Sequence, residues 1–320
     1  MKRVLALLLL ALVACESGPA GPGDPTSPIP APPLREATLL RHLGLLADDS
    51  MGGRLAGSPD EGEAALYLLL EFMAYGLGPG TPGYTQEFPL PQGGTSRNVL
   101  AVLPGHGSLA QQWVIIGAHY DHVGYDQVTP DSILVYNGAD DNASGTALLL
   151  EIARYLSDHV EGGNMAGVAR RSVMFQTFGA EESGLVGSTY FCGHPTISMH
   201  RVVAMLNLDM VGRYAQNGLR LIGTSSSADW PGILDNVGAN NLSVDYDDGG
   251  LLGGSDQYCF HQAGKPVLFF HTGLHNEYHT AYDDVVLIDT DGMLTVGELT
   301  TDVVLQLLVR PAPPIFSATP

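Results

Sequence analysis

The side chains of this sequence that are best suited to chemistry are imidazoles and carboxylates, and they occur in short motifs spread along the chain. In residues 138–145 (GADDNASG), two carboxylates and an amide lie between small residues, which let a backbone turn tightly and approach a ligand. A helix N-cap would explain the same Asp and Asn residues, so this motif alone leaves both interpretations open. The other candidates are His119, Asp121, Glu181, Glu182, Asp209, Tyr278 and His279.

The residue types predict a pair of divalent metal ions. Imidazole together with carboxylate favours zinc, with Co2+ or Mn2+ as replacements. A catalytic zinc uses about three protein ligands, whereas this chain offers more: His119, Asp141, Asp209, His279 and one glutamate of the Glu181–Glu182 pair. These suffice for two ions if one carboxylate bridges them, and two metals about 3.5–4 Å apart can polarise a carbonyl and activate water together. The cysteines lack the spacing of a zinc-thiolate site, so a closed structural zinc site is not expected.

Most candidates follow an apolar segment with the character of a β-strand. In an open α/β sheet, ligands bind beyond the carboxyl ends of the strands, so the convergence of these groups on one edge is the strongest indication of function in the sequence. The predicted strands are 98–103, 113–118, 172–178, 202–208, 219–222 and 266–270. A short segment containing Gly and Pro separates the first two, which predicts a hairpin.

Helical patterns alternate with these strands. Ser58, Pro59 and Glu61 mark one helix start, with a Ser cap, Pro in the first turn and Glu three residues after the cap. The predicted helices are 34–47, 58–75, 146–156 and 289–308. The alternation indicates an α/β fold with a mostly parallel central sheet and helices on both faces.

The first 33 residues read as an export segment. Lys2 and Arg3 precede an apolar run that is too short to span a bilayer, and the residues before Cys15 resemble a bacterial lipobox. We therefore expect a signal peptide (1–14) and a lipidated tether rich in Pro and Gly (15–33). The alternative is an ordinary signal peptide with an incidental cysteine. A single catalytic domain (34–310) and a short tail (311–320) would follow.

This segment predicts an exported, membrane-anchored lipoprotein that faces the periplasm or the cell exterior, with the lipid as its only membrane contact. The formal net charge is -20 with only 14 Lys and Arg residues, which argues against a nucleic-acid partner. Part of the negative charge is expected to be balanced by bound cations. An exported compartment permits a disulfide between Cys192 and Cys259, but their spacing leaves pairing and free thiols equally open.

The motifs, taken in order, resemble those of the M28 family of zinc peptidases. The segments that carry the resemblance are 117–122 (GAHYDH), 138–145, 179–182 (GAEE), 206–210 (LNLDM), 253–256 (GGSD) and 278–283 (YHTAYD). The resemblance covers residues 34–308 and implies the zinc-dependent exopeptidase (phosphorylase/hydrolase-like) architecture. It further implies two co-catalytic zinc ions and peptide substrates.

The resemblance also implies which residues hold the metals. Asp141 would be the bridging carboxylate. His119 and Asp209 would complete one zinc site, and Glu182 and His279 would complete the other.

The remaining roles concern proton transfer and positioning. The resemblance makes Glu181 the general base and Asp121 the residue that orients His119. Tyr278 resembles a residue that some members place beside the oxyanion. The family pattern also implies a cis peptide bond between Asp141 and Asn142.

The predicted activity is removal of N-terminal amino acids from peptides. Three alternatives stay open: a carboxypeptidase or other amide hydrolase on the same zinc core, a glutaminyl cyclase, and an inactive surface binding protein. The cyclase is disfavoured because the resemblance implies a single zinc and an altered bridging motif there, whereas this chain keeps Asp141–Asn142. The segment 224–250 is expected to form the wall that determines specificity.

Several neighbouring polar residues receive weaker predictions. Asp140 adjoins the bridging position but is expected to face away from the metals. Asp283 is expected to support the loop after His279. His275 is interpreted as a surface residue, with a position in the lining of the pocket as the alternative. His122 has no assigned role.

Overall fold

The structure, a computed structural model, describes residues 34–246 and 251–317. The predicted signal peptide (1–14) and tether (15–33) lie outside the described residues, as do 247–250 and the last three residues of the predicted tail. The statements below concern the described part of the chain.

A nine-stranded sheet forms the centre of the fold, and a separate two-stranded hairpin (β5 and β6) lies apart from it. The strand order of the large sheet is β1-β3-β7-β4-β8-β11-β9-β10, with β2 paired to β3. The strands are β1 (Gly78–Pro79), β2 (Thr85–Pro89), β3 (Thr95–Leu103), β4 (Trp113–His119), β5 (Tyr125–Thr129), β6 (Ser132–Val135), β7 (Ser172–Phe178), β8 (Val202–Leu208), β9 (Leu219–Ile222), β10 (Val244–Asp245) and β11 (Val267–His271).

The four strands in the middle of the sheet, β7, β4, β8 and β11, run parallel to one another. Every residue of β7 and β8 is buried, as expected for strands covered on both faces. Antiparallel pairings occur only towards the two sides of the sheet, at β3 and between β9 and β11. The predicted α/β class with a mostly parallel central sheet is confirmed.

The predicted hairpin between the first two strands is wrong. β3 pairs with β2 and with β7, while β4 lies on the other side of β7. The chain crosses from β4 through the long helix Gly145–Glu161 to the parallel strand β7, and this strand occupies the position beside β4 that a hairpin partner would need. The short turn after β3 therefore carries the chain past β7 instead of back along β3.

Helices cover both faces of the sheet. Along β4, Val114 and Ile116 pack into one core cluster and Ile115 into another, because successive side chains point to opposite faces. The first cluster includes side chains of α1, α2, α3, α6 and α8, and the second includes those of α4 and α7. The helices are α1 (Glu36–Leu46), α2 (Pro59–Ala74), α3 (Gly145–Glu161), α4 (Val186–Gly193), α5 (Tyr214–Asn217), α6 (Trp230–Asn236), α7 (Gln257–Gln262) and α8 (Thr290–Val309).

Two of these helices show how the sequence pattern becomes structure. At the start of α2, the Ser58 hydroxyl accepts a hydrogen bond from the Glu61 N–H (3.1 Å), and the Glu61 carboxylate accepts one from the Gly57 N–H (2.7 Å). The last helix, α8, has the length and apolar composition of a membrane span, with a mean hydropathy of 1.4 over 18 residues. However, 67% of that window is buried inside the protein, so α8 provides only weak evidence for a span.

A disulfide joins Cys192 and Cys259, which the sequence had left open. It ties α4, the helix that follows the Glu181–Glu182 pair, to α7, the helix that follows Asp256. Closing a loop over a sequence separation of 67 residues corresponds to about 4 kcal/mol in the chain-entropy description. The cross-link therefore restrains two segments that lead away from the candidate site.

Candidate metal centre

The candidate ligands meet at the carboxyl edge of the parallel strands, as predicted. His119 is the last residue of β4, Asp209 directly follows β8, and Glu182 lies in the turn after β7. Asp141 lies in the turn Ala139–Ser144 that leads into α3, and its own backbone angles are not helical. His279 lies in the loop after β11.

Two groups of side chains come close enough to bind one cation each. In the first, the His119 Nε2 lies 3.3 Å from the Asp141 Oδ1 and 3.4 Å from the Asp209 Oδ1. The second group comprises His122, Asp141, Glu182 and His279. In it, the His279 Nε2 lies 3.0 Å from the Asp141 Oδ2, 3.0 Å from the Glu182 Oε2 and 3.1 Å from the Glu182 Oε1. Asp141 belongs to both groups and turns one oxygen towards each, which is the arrangement of a bridging carboxylate.

The separations between donor atoms fit zinc. Four ligands about 2.0–2.1 Å from a tetrahedral ion lie about 3.3 Å from one another. The imidazole–carboxylate separations quoted for both groups, 3.0 to 3.4 Å, match that spacing. The donor set, made of imidazole nitrogens and carboxylate oxygens, is the one that zinc prefers when no thiolate is present.

The electrostatics of the two groups also favour cations. Hydrogen bonds to Asp141 and Glu182 raise the pKa of His279 to about 10. Burial alone would lower the pKa of His119, but nearby carboxylates, led by Glu181 and Asp209, raise it well above its usual value. Protons on these imidazoles balance the carboxylates, and metal ions would displace the same protons.

Asp141 is held as an anion, and the backbone around it is tightly packed. Burial would raise its pKa, but hydrogen bonds from His119 and His279 bring the pKa well below its usual value. The peptide bond between Asp141 and Asn142 is cis, as the family pattern implied. At Gly145 a Cβ would lie 2.3 Å from the Leu208 carbonyl oxygen, so a glycine is required where this turn meets β8.

Glu181 lies beside the two groups without belonging to either. Burial and then the neighbouring carboxylates, Asp256 foremost, raise the pKa of Glu181 well above its usual value, although His119 opposes the shift. A carboxylate in such surroundings is suited to accept a proton near neutral pH.

Asp121 acts on this segment through its carboxylate. Its two oxygens accept hydrogen bonds from the backbone N–H groups of Glu181 (2.9 Å) and Glu182 (3.2 Å). The predicted contact with His119 is made instead by the Asp121 backbone carbonyl, which lies 3.2 Å from the His119 Nδ1, while the nearest carboxylate oxygen is 3.8 Å away. Asp121 therefore positions the glutamate pair and His119 at the same time.

Tyr278 lies against the second group. Its ring stacks on the His279 imidazole, with ring centroids 3.8 Å apart and planes inclined by 20°. Burial and then the nearby carboxylates of Asp141 and Glu182 raise the pKa of the hydroxyl well above its usual value, so it remains a neutral hydrogen-bond donor. Its predicted role beside the oxyanion stays a prediction.

The interpretation of His275 as a surface residue is wrong. Its side chain is buried, with the Nε2 3.3 Å from the Asp140 Oδ2. Asp140 points away from the two metal-binding groups, as expected, and its Oδ1 accepts a hydrogen bond from the Gly212 N–H (2.6 Å). The loop after β11 folds back against the Asp140–Asp141 turn, and this long-range packing leaves no pattern in the sequence around His275.

Asp283 supports the bridging residue itself and not only the loop after His279. Its carboxylate accepts hydrogen bonds from the backbone N–H groups of Asp140 (3.0 and 3.1 Å) and Asp141 (3.0 Å). The Arg213 guanidinium lies 3.5 Å from the same carboxylate. Asp283 thus fixes the backbone from which the shared ligand projects.

Replacing Asp283 with asparagine should loosen this backbone, because one of the two accepting oxygens becomes an amide donor that faces N–H groups. Loss of an outer partner of a metal ligand costs about 10–100-fold in metal affinity, and we expect a loss of that size for metal bound by Asp141. Competition with a chromophoric zinc chelator would measure it. Asp284→Asn, at the neighbouring exposed residue, is the matched control, and equal affinities for the two variants would contradict the assignment.

Two functional residues were missed by sequence reasoning. His122 is buried, and its Nδ1 lies 2.9 Å from the Glu182 Oε1. The available signal was its place in the same short motif as His119 and Asp121. Arg54, the second, lies in a glycine-containing turn that no chemical pattern singled out.

Arg54 is a fully buried cation that organises the backbone around the site. Its guanidinium donates hydrogen bonds to the carbonyl oxygens of Leu46, Tyr120 (2.8 Å), Asn137 (2.8 Å) and Gly138 (3.2 Å). Burial lowers its pKa to about 10, and nearby carboxylates oppose that shift. One cation thus joins the segment before Asp121 to the segment before Asp140.

The segment 224–246, most of the predicted specificity wall, contains α6 and β10. A cavity of about 200 Å3 in this region is lined by Thr224, Pro231, Leu234, Asp235, Asn240 and Tyr246. None of the candidate ligands lines it, so its relation to substrate binding stays a prediction.

The fold and the site define a class of protein: an α/β protein with adjoining carboxylate–imidazole groups at the carboxyl edge of its sheet, as in metal-dependent hydrolases. The family model for "Peptidase family M28" matches residues 98–304. The chain belongs to this family.

Individual relatives agree with that assignment. Leucine aminopeptidase 1 of Leptosphaeria maculans is 31% identical over 236 residues, covering 69% of this chain and 58% of that relative. The chain spans about half the length of the curated relatives it matches. Among solved structures, BSAP, a zinc aminopeptidase from Bacillus subtilis, has a TM-score of 0.67 at 18% identity and covers 89% of this chain and 98% of its own.

A glutaminyl cyclase shares the same fold. The Porphyromonas gingivalis enzyme has a TM-score of 0.66 at 22% identity, covering 85% of this chain and 98% of its own. The fold therefore does not distinguish peptide hydrolysis from cyclisation, and the residues of the site must do so.

Proposed function

We propose that this protein removes N-terminal amino acids from peptides by zinc-dependent hydrolysis, using two zinc ions. The observation that carries the proposal is the position of Asp141, which turns one carboxylate oxygen towards each of two donor groups. Membership of peptidase family M28 supports the reaction class.

The proposed ligands follow the two groups. His119 and Asp209 would hold one ion, Glu182 and His279 would hold the other, and Asp141 would serve both. Co2+ or Mn2+ would fit the same donors.

The proposed mechanism assigns one task to each remaining residue. The zinc pair, when bound, polarises the scissile carbonyl and makes water a better nucleophile at neutral pH. Glu181 accepts a proton from the attacking water and passes it to the leaving amine. The Asp121 carboxylate accepts a hydrogen bond from the Glu181 backbone N–H and so holds Glu181 in place. The protonated Tyr278 hydroxyl donates a hydrogen bond to the carbonyl oxygen as that oxygen gains charge.

Glutaminyl cyclisation is the second candidate, because a solved cyclase shares the fold. The presence of two complete donor groups around Asp141 favours the hydrolase, since a single zinc needs only one of them. A carboxypeptidase or another amide hydrolase would use the same zinc core and differ in which substrate end it recognises. An inactive binding protein would bind peptides without turnover.

Hydrolysis of a panel of aminoacyl-anilides, each beside its N-acetylated form, tests the proposal. We expect cleavage of the free-amine forms only, with loss of activity after chelation and recovery with zinc. Ammonia release from a peptide that begins with glutamine would instead indicate a cyclase. Cleavage of blocked peptides at the carboxyl end would indicate a carboxypeptidase, and zinc binding without turnover would indicate a binding protein.

We also propose that the protein acts outside the cytoplasm as a lipoprotein anchored through Cys15. The export-type segment 1–14 and the Cys192–Cys259 disulfide support this location, because disulfides persist in oxidising compartments. Recovery of the protein in a detergent phase, lost on Cys15→Ser substitution, would test the anchor.

A further inference from the structure

His122 is the fourth side chain of the second metal-binding group, although neither its sequence position nor the family pattern gave it a role. Its Nδ1 is 2.9 Å from the Glu182 Oε1 and 3.7 Å from the Asp141 Oδ2. Its ring packs edge-on against the His279 ring, with centroids 5.5 Å apart and planes inclined by 67°. His122 is therefore either a fourth ligand of the second ion or a hydrogen-bond donor to one of its ligands.

The surroundings of His122 fix the orientation of its ring. Its backbone N–H donates to the Arg54 carbonyl (3.1 Å), and its side chain is fully buried. On the other side, a Cβ at Gly138 would lie 2.6 Å from the His122 Cγ and Cδ2, so the glycine backbone packs directly against the imidazole. A ring whose orientation is fixed by such packing can hold another side chain in position.

Three observations favour His122 as a hydrogen-bond donor to Glu182 over His122 as a metal ligand. The separation of 3.7 Å from the Asp141 oxygen exceeds the 3.0 Å at which His279 approaches the same atom. The separation of 2.9 Å between the His122 Nδ1 and the Glu182 Oε1 is that of a hydrogen bond. Among the described residues, none forms a hydrogen bond with the buried His122 Nε2, whereas a ligating imidazole almost always donates its other N–H to a partner.

The position of the hydrogen on the His122 ring also favours the donor role. If the Nδ1 bound metal, the Nε2 would carry a hydrogen with no acceptor in a buried place, which is costly. If the Nδ1 carries the hydrogen and donates it to Glu182, the Nε2 carries no hydrogen, and no buried N–H of this ring is left without an acceptor.

We infer that His122 is a positioning residue that donates its Nδ1–H to the Glu182 Oε1 and thereby aims the Oε2 at the second zinc ion. The inference rests on the proposed two-zinc function. It leaves the second ion with Asp141, Glu182 and His279 as protein ligands, and so with an open position for substrate or water. A fourth protein ligand would close the tetrahedral site, as in structural zinc sites.

Two near-isosteric substitutions separate the possibilities. In His122→Asn the amide nitrogen replaces the Nδ1, so the donor to Glu182 is kept. In His122→Gln the amide nitrogen replaces the Nε2, so polarity and volume are kept but the donor is misplaced. His159→Asn and His159→Gln change another buried histidine, at the far end of α3, and serve as matched controls.

Zinc binding to the full domain is followed by calorimetry, and Co2+ absorption reports the coordination of the substituted metal. We expect the second zinc to bind about 10–100-fold more weakly to His122→Gln, and within about threefold of wild type to His122→Asn. The Co2+ spectrum of His122→Asn should match that of wild type. Both His159 variants should bind two ions as wild type does.

Other results would overturn the inference. Equal large losses in both His122 variants, with a changed Co2+ spectrum, would make His122 a ligand. Wild-type affinity in both would deny it any role at the metal. Failure of the wild-type protein to bind a second ion would instead refute the two-zinc function on which the inference rests. The wild-type protein is therefore measured before either variant.

Discussion

Glu181→Gln is expected to lower kcat by about 10²–10⁴-fold, the usual contribution of a general base, while both zinc ions remain bound. Glutamine matches glutamate in shape but cannot accept a proton at neutral pH. Glu181 belongs to neither donor group, and its backbone N–H still reaches Asp121. The metals should therefore be held as before, and only the proton transfer should be lost.

Turnover of an aminoacyl-anilide and zinc content per chain, measured on the same preparation, test this separation. Glu182→Gln is the matched comparison, because it makes the same change one residue along and removes a proposed ligand. That variant should lose zinc from one site, whereas Glu181→Gln should not. Wild-type turnover in Glu181→Gln would show that another group accepts the proton, and loss of zinc would make Glu181 a ligand.

The position of these two adjacent residues at the end of a strand is a feature that the sequence could predict. Strand ends are readable, because apolar segments identify the buried strands and parallel topology brings their carboxyl ends to one edge. His119, Asp209 and Glu182 lie at that edge for this reason. The five proposed ligands all meet there.

The supporting residues were less predictable, because their contacts cross long stretches of chain. Asp283 binds the backbone of Asp140 across 143 residues, and Arg54 reaches Gly138 across 84. A carboxylate that accepts two backbone N–H groups looks the same in a sequence as one that faces water. A histidine packed against a carboxylate far along the chain leaves no local pattern either. The sequence therefore predicts a surface position for His275, although its side chain is buried beside Asp140.

Strand pairing was limited by the same cause. The short turn between β3 and β4 favoured a hairpin, because local information shows only that the two segments are close in sequence. Whether they pair depends on β7, which follows α3 and inserts between them. The crossover from β4 to β7 buries β7 on both faces of the sheet. This burial stabilises the fold more than a hairpin between β3 and β4 would.

Asp141→Asn is expected to abolish tight binding of both zinc ions and to lower turnover by about 10³-fold or more, because metal ions supply several kcal/mol to such reactions. The carboxylate turns one oxygen to each group. Asparagine offers one neutral oxygen and an amide that repels the second cation. No other single residue belongs to both groups in the described part of the chain, so no substitution of another proposed ligand should affect both ions equally.

The zinc-dependent rise in melting temperature measures the loss directly. At 100 times its Kd, each ion stabilises the folded protein by about 2.7 kcal/mol, so two ions give about 5 kcal/mol. At about 2–4 °C per kcal/mol for a domain of this size, wild type should gain about 10–20 °C. Asp141→Asn should gain almost none, and Glu182→Gln about half.

Asp140→Asn provides the control, since it changes the neighbouring buried carboxylate in the same way. Asp140 binds the Gly212 N–H and faces His275, so its loss should lower the melting temperature with and without zinc by the same amount and leave the increment intact. If Asp141→Asn kept half of the wild-type increment, one ion would bind without it. The two groups would then be separate sites, and the bridge that carries the proposed function would be lost.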